Sequence, residues 1–199
     1  MLTDLAFIHL RLHSEYSVAD SIIRLDEALE KAVIDGMPAL ALTDLANLFG
    51  LIKFYQSACK KGIKPIIGCD IWVSNETNRD KPFRVLLLCQ SYAGYLLLCR
   101  LLSRAYRENL YRGRAEFKKS WFHPLEGGTD GLILLSGAHL GEIGWHLLQN
   151  NWSAAEALAQ EWADLFPGRF YIELQRSGYA NEESCVCNSL QLASKLQLP

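Results

Sequence analysis

The residues best placed to do chemistry stand near the N-terminus. His9, Arg11 and His13 take alternate positions in Phe7-Ile8-His9-Leu10-Arg11-Leu12-His13, with Ile8, Leu10 and Leu12 between them. Such alternation is the pattern of a strand, whose successive side chains point to opposite faces, so two imidazoles and a guanidinium share one side. A nitrogen row ending at a strand terminus, followed by the loop Ser14-Glu15-Tyr16-Ser17, suits a metal or phosphate site at the mouth of a barrel. The same pattern fits a strand edge with one solvated face, and the segment alone leaves both readings open. Later apolar runs also end in polar residues: Thr43-Asp44, Asp70, Ser136 and Gln175 each follow one. His9, His123, His139 and His146 match no metal-ligand spacing and read as ordinary core or surface residues.

The elements that would hold these residues alternate between strand and helix. Leu25, Ala28, Leu29, Ala32 and Val33 recur at helical spacing, and Gly36 is placed to end that helix in a left-handed turn. Residues 38–44 read as a buried parallel strand, 48–61 as a helix stopped by Gly62, and 63–73 as the next extended segment. A polar turn over 75–82 precedes a strand at 83–88, a helix at 92–107 and a strand at 131–137. Helices at 141–149 and 153–165, a strand at 169–174 and a helix with Val186, Leu190, Ala193 and Leu196 on its apolar face complete the chain. Repeated strand–helix units predict an α/β fold with a parallel sheet or barrel and functional residues at strand C-terminal ends. A Rossmann or P-loop reading lacks its glycine-rich phosphate loop.

Composition sets the outer bounds. With 199 residues, 50% of them hydrophobic and 21% charged, the chain is long enough for one sizeable core. Its longest apolar runs fall short of a membrane span, and the N-terminus lacks the charged and apolar regions of a signal peptide. Six cysteines without a CxxC pair point to reduced thiols in the cytoplasm. The net charge of −2 favours no partner class, but Arg100 to Lys119 holds seven basic residues against Glu108 and Glu116. Arg100, Arg104 and Arg107 share a helical face, and Tyr106, Tyr111, Phe117, Trp121 and Phe122 are interleaved with the basic segment. This stripe is a candidate contact for DNA phosphates or an acidic partner, with a plain solvated helix face as the alternative.

Several motifs together resemble one family. Phe7 to Ser17, Met37-Pro38-Ala39-Leu40-Ala41-Leu42-Thr43-Asp44, Asn47-Leu48-Phe49-Gly50, Ile63-Lys64-Pro65-Ile66-Ile67-Gly68, Gly94-Tyr95 and Leu135-Ser136-Gly137 resemble the PHP domain that opens the α subunits of bacterial replicative DNA polymerases of the polymerase III type. The resemblance spans essentially the whole chain. It implies a single PHP domain over 1–199 with a distorted (β/α)7-type barrel, whose strand ends in many relatives hold metal ions for phosphoester hydrolysis. It also implies that the chain continues into the palm, fingers and thumb of a nucleotidyltransferase that copies DNA with Mg. On that view the chain is a fragment, incomplete at its C-terminus, with no polymerase catalytic residue. Its end at Leu196-Gln197-Leu198-Pro199, where another strand is due, agrees with this expectation.

The departures from the family pattern bear on function. Metal-binding relatives carry His-x-His on the first strand and Thr-Asp-His on the second, whereas this chain has Arg11-Leu12-His13 and Thr43-Asp44-Leu45. Asp70 stands where relatives often have Glu, and Arg84 and Ser177 where histidines are expected. His13, Asp44 and Asp70 survive as a vestigial ligand set that could hold only residual Zn or Mn, and none of these positions is expected to be catalytic. Arg11 and Arg84 are expected to replace the metal as fixed cations against Asp44 or Asp70. The resemblance then implies a structural domain that docks the proofreading exonuclease subunit among other replicase subunits, contacts DNA only through the full-length protein, and has no membrane partner. A metal-dependent phosphoesterase or 3′–5′ exonuclease is the alternative, and a free-standing PHP enzyme a third reading.

Overall fold

A computed structural model describes residues 7–199. The chain divides into two compact units, one ending at Asp70 and the other running from Ile71 to Pro199. The fold class is α/β, as the strand–helix alternation predicts.

In the first unit, helix α1 (Leu25–Ile34) leads to strand β1 (Ala39–Leu42), helix α2 (Leu51–Lys60) and strand β2 (Lys64–Val73), which runs on past the end of the unit. Gly36 takes the left-handed conformation expected of it, with φ of 65°, and the turn returns the Met37 amide to the Ala32 carbonyl at 2.9 Å. β1 and β2 pair in parallel from Ala39 opposite Lys64 to Leu42 opposite Ile67. Leu25 and Leu29 of α1, Leu40 and Leu42 of β1, and Phe54 and Ala58 of α2 close one core between them. Each fully buried Leu or Phe there contributes about 1.5–3 kcal/mol relative to exposure.

The first-strand expectation needs correction, since residues 7–13 form no regular strand. They run extended beside β1 through two amide bonds, Ala41 to the His9 carbonyl at 3.0 Å and Thr43 to the Leu12 carbonyl at 2.9 Å. The Thr43 hydroxyl interrupts the ladder. It accepts from the Leu12 amide at 2.9 Å and donates to the Leu12 carbonyl at 3.1 Å.

The second unit contains the end of β2, β3 (Phe83–Cys89), α3 (Tyr92–Glu108), β4 (Leu110–Tyr111), β5 (Arg114–Phe117), β6 (Leu132–Leu135), α4 (Glu142–Leu148), α5 (Trp152–Leu165), β7 (Phe170–Tyr171) and α6 (Glu182–Leu196). Its strands lie in the order β4-β5-β2-β3-β6-β7. A wholly parallel sheet is not what forms, because β3 with β6 and β4 with β5 are antiparallel. The 110–117 hairpin accounts for one departure. Arg112 and Gly113 both have positive φ, at 48° and 80°, which is the geometry of a tight primed turn. The predicted strand at 169–174 is shorter, limited to Phe170 and Tyr171. Phe117, Trp121, Phe122, Trp162 and Phe166 form a buried aromatic cluster, with ring centroids 5.4–6.2 Å apart along its contacts.

Gly94 explains how α3 begins. Ser91 caps the helix by accepting from the Gly94 amide at 3.2 Å, and a Cβ on Gly94 would stand 1.9 Å from the Gly131 carbonyl oxygen. Only glycine lets the helix start pass that backbone.

Candidate functional site

The site follows from β1 and β2 lying parallel. Asp44 follows β1 and Asp70 lies within β2, and a bridge pairs Leu45 with Asp70. Backbone bonds from the Asp70 amide to the Asp44 carbonyl at 3.2 Å, and from the Ala46 amide to the Asp70 carbonyl at 2.8 Å, tie the two positions. The 7–13 segment on the other side of β1 brings Arg11 and His13 to the same end.

Both carboxylates are buried, Asp44 with 1% of its surface exposed and Asp70 with 0%. Leaving either charge there without partners would cost several kcal/mol, so each must be answered locally. The two are answered differently. Asp70 Oδ2 receives the Arg11 guanidinium as an ion pair and lies 3.0 Å from His13 Nε2. The other ring nitrogen of His13 meets Asp20, so the imidazole stands between two carboxylates. Asp44 accepts from neutral donors: the Ser14 amide at 2.6 Å, the Ser14 hydroxyl at 2.8 and 3.0 Å, and the Ser17 hydroxyl at 2.7 Å. Ser17 Oγ also accepts from the Leu45 amide at 2.9 Å, so one hydroxyl fixes both the carboxylate and the turn after it. The Cys69 thiol is wholly buried beside Asp70 and Asp44, and burial pushes its pKa well up, which makes it a packing group rather than a nucleophile.

The structure thus brings together three of the residues marked in the sequence, Arg11, His13 and Asp70, and sets the Asp44 carboxylate on its own serine cage. Arg84 and Ser177 belong to the second unit. Arg84 is 8% exposed, with its guanidinium 5.0 Å from the centre of the Trp72 ring. Ser177 is exposed and donates its amide and hydroxyl to Glu182 at 2.5 and 2.9 Å. Of the three α3 arginines, Arg104 is bound to Glu108 and Glu126, each at 2.9 Å, while Arg100 and Arg107 are exposed. His9 is exposed and rests edge-on against Phe7.

Sequence reasoning missed Ser14, Ser17 and Asp20. The serines lie in the Ser14-Glu15-Tyr16-Ser17 motif, and their place immediately after His13 was the available signal. Asp20 sits in a loop without periodicity and offered none.

This donor set does not fit a metal cluster. Both His13 ring nitrogens are already engaged by carboxylate oxygens, one by Asp20 and the other by Asp70. Asp70 already pairs with a cation that cannot deprotonate, and both Asp44 oxygens accept from hydroxyls. Among the described residues, no group of three or more His, Cys, Asp or Glu side chains is arranged to hold a metal ion. What the arrangement does is set a guanidinium against a buried carboxylate, with an imidazole nitrogen 3.0 Å from the same oxygen.

Comparison with known proteins agrees with this architecture. The PHP domain model matches residues 9–177. The chain is 44% identical over 202 residues to DNA polymerase III subunit alpha of Neisseria meningitidis serogroup A, covering 100% of this chain and 17% of that protein. It is 40% identical over 194 residues to the same subunit of Pseudomonas fluorescens and 37% identical over 193 residues to that of Escherichia coli K12, covering 98% and 97% of this chain and 16% of each relative. The chain therefore spans about a sixth of the length of these curated relatives. A solved structure from Bifidobacterium adolescentis, assigned to the metal-dependent phosphoesterases, superposes with a TM-score of 0.54 over 96% of this chain and 83% of its own, at 10% identity. That likeness concerns the fold alone. Among the described residues no helix is long and apolar enough to cross a membrane. A family match over most of the chain, together with these relatives, establishes that the chain belongs to the PHP domain family.

Proposed function

We propose that this chain is the PHP domain of a replicative DNA polymerase III α subunit, and that within it the domain is a structural and docking module, not a phosphoesterase. The observation that carries the proposal is the Arg11 guanidinium on the buried Asp70 carboxylate. A permanent cation there does the electrostatic work of a bound metal without offering Lewis acidity or an activated water. Positive charge is then retained for stability and the means of hydrolysis is lost. The family resemblance supplies the partners: the proofreading exonuclease subunit, the other replicase subunits, and DNA through the full-length protein, all in the cytoplasm. Template-directed DNA synthesis, with Mg, belongs to the remainder of that protein.

The test is binding of the purified exonuclease subunit to the full-length α subunit and to a form lacking residues 1–199. Docking through this domain requires that the deletion abolish binding. Unchanged binding by the deleted form refutes it.

A further inference from the structure

Helix α3 buries one side through Leu97, Leu98, Leu101, Leu102 and Ala105. Its opposite side is a stripe of Tyr92, Leu96, Arg100, Tyr106 and Arg107, which at 100° per residue fall within about a third of the circumference. All five are exposed, Tyr92 to 74% and Leu96 to 40%. Arg104, which the sequence places with Arg100 and Arg107, is drawn away from the stripe: it bonds Glu108 and Glu126 and lies 4.4 Å over the Trp121 ring. Among the described residues Arg100 and Arg107 have no carboxylate within ion-pair distance. The surrounding sequence is strongly positive, since residues 72–119 hold ten basic and four acidic side chains while the whole chain holds 20 and 22.

We propose that this face docks a protein segment that sets carboxylates beside apolar side chains. The proposal rests on the reading of the domain as a docking module and names the surface responsible. Tyrosine and arginine are the residues on which interface energy concentrates, and here they flank an exposed leucine. Arg100 and Arg107 lie two helical turns apart, about 10 Å along the axis, which matches carboxylates two turns apart on a helix or three residues apart on an extended chain. Nucleic acid fits less well. Tracking a phosphate backbone takes a continuous basic run, and the first two turns of the stripe, at Tyr92 and Leu96, carry no charge.

The experiment measures binding of the exonuclease subunit to the full-length α subunit at low and physiological salt. Arg100→Glu/Arg107→Glu should weaken binding about tenfold or more and flatten its salt dependence. Leu96→Ala should weaken it about threefold or more at either salt. Lys60→Glu, exposed at the end of α2, should change nothing. If wild type binds and both α3 variants bind within about twofold of it, this surface is wrong while the docking reading stands. If wild type does not bind at all, the docking reading itself falls and takes the surface with it. If the arginine reversal instead lowers affinity for duplex DNA and leaves exonuclease binding intact, the face is a nucleic-acid contact and the proposal is overturned.

Discussion

Replacing Arg11 by histidine restores the residue that metal-binding relatives carry, yet it should weaken this domain. Asp70 is fully buried and the Arg11 side chain is 19% exposed, so the pair sits mostly out of water. A hydrogen bond to a charged group contributes about 1.5–3 kcal/mol, and removing one partner of a fully buried pair costs about 3–5 kcal/mol. His13 Nε2 remains 3.0 Å from the same carboxylate oxygen and leaves it one polar contact. Arg11→His should therefore cost roughly 1–3 kcal/mol, seen as a melting point about 2–12 °C lower for a domain of this size. Urea denaturation of wild type, Arg11→His, Asp70→Asn and the double variant at neutral pH gives the coupling between the two side chains. A coupling of about 1 kcal/mol or more is expected. If Arg11→His is neutral and the coupling falls below about 0.3 kcal/mol, the Arg11–Asp70 pair does not stabilise the domain.

Ser17→Ala and Ser14→Ala should each cost about 1–3 kcal/mol by urea denaturation, because each hydroxyl serves Asp44 and a backbone amide, that of Leu45 for Ser17 and that of Tyr16 for Ser14. Gly94→Ala should destabilise by about 3 kcal/mol or prevent folding, since its methyl would meet the Gly131 carbonyl backbone, and equal melting of the two proteins would contradict the packing. The turn at 176–178 should depend on pH. Backbone amides of Ser177 and Gly178 hold the pKa of Glu182 below its usual value of 4.5, and Arg176 does the same for Glu183. Carboxylates depressed in the folded state stabilise it above the ordinary carboxylate range and lose that effect as pH falls through the depressed values. Amide exchange at 177 and 178, corrected for intrinsic rates, should accelerate below about pH 4, and Glu182→Gln should remove that dependence.

Much of the frame could be read from the sequence because burial imposes periodicity. α1, α2 and α3 show their apolar faces at helical spacing, and β1 and β3 are apolar runs bounded by polar residues. Where backbone geometry comes from turn chemistry, the reading failed. Arg112-Gly113 builds a hairpin inside a stretch that looked only like a charge cluster, and the antiparallel pairing of β3 with β6 has no signature in either strand. Residues 7–13 alternate as a strand should, but the Thr43 side chain takes a ladder position there and the pairing stays irregular. At the site, alternation placed Arg11 and His13 on one side, and both reach Asp70. It could not show that Asp44 would turn to serines, because the choice between a cationic and a neutral partner depends on which loop folds over each carboxylate.

The most direct test of the account is metal content measured together with hydrolysis on the full-length protein. The protein is loaded with zinc or manganese, freed of unbound ion, and assayed for release of a 3′-terminal nucleotide with and without chelator; Arg11→His and Arg11→His/Leu45→His are treated alike. Well under one metal per wild-type chain is expected, with no chelator-sensitive release attributable to this domain. Stoichiometric metal in the wild type, with chelator-sensitive cleavage that Asp70→Asn abolishes, would contradict it.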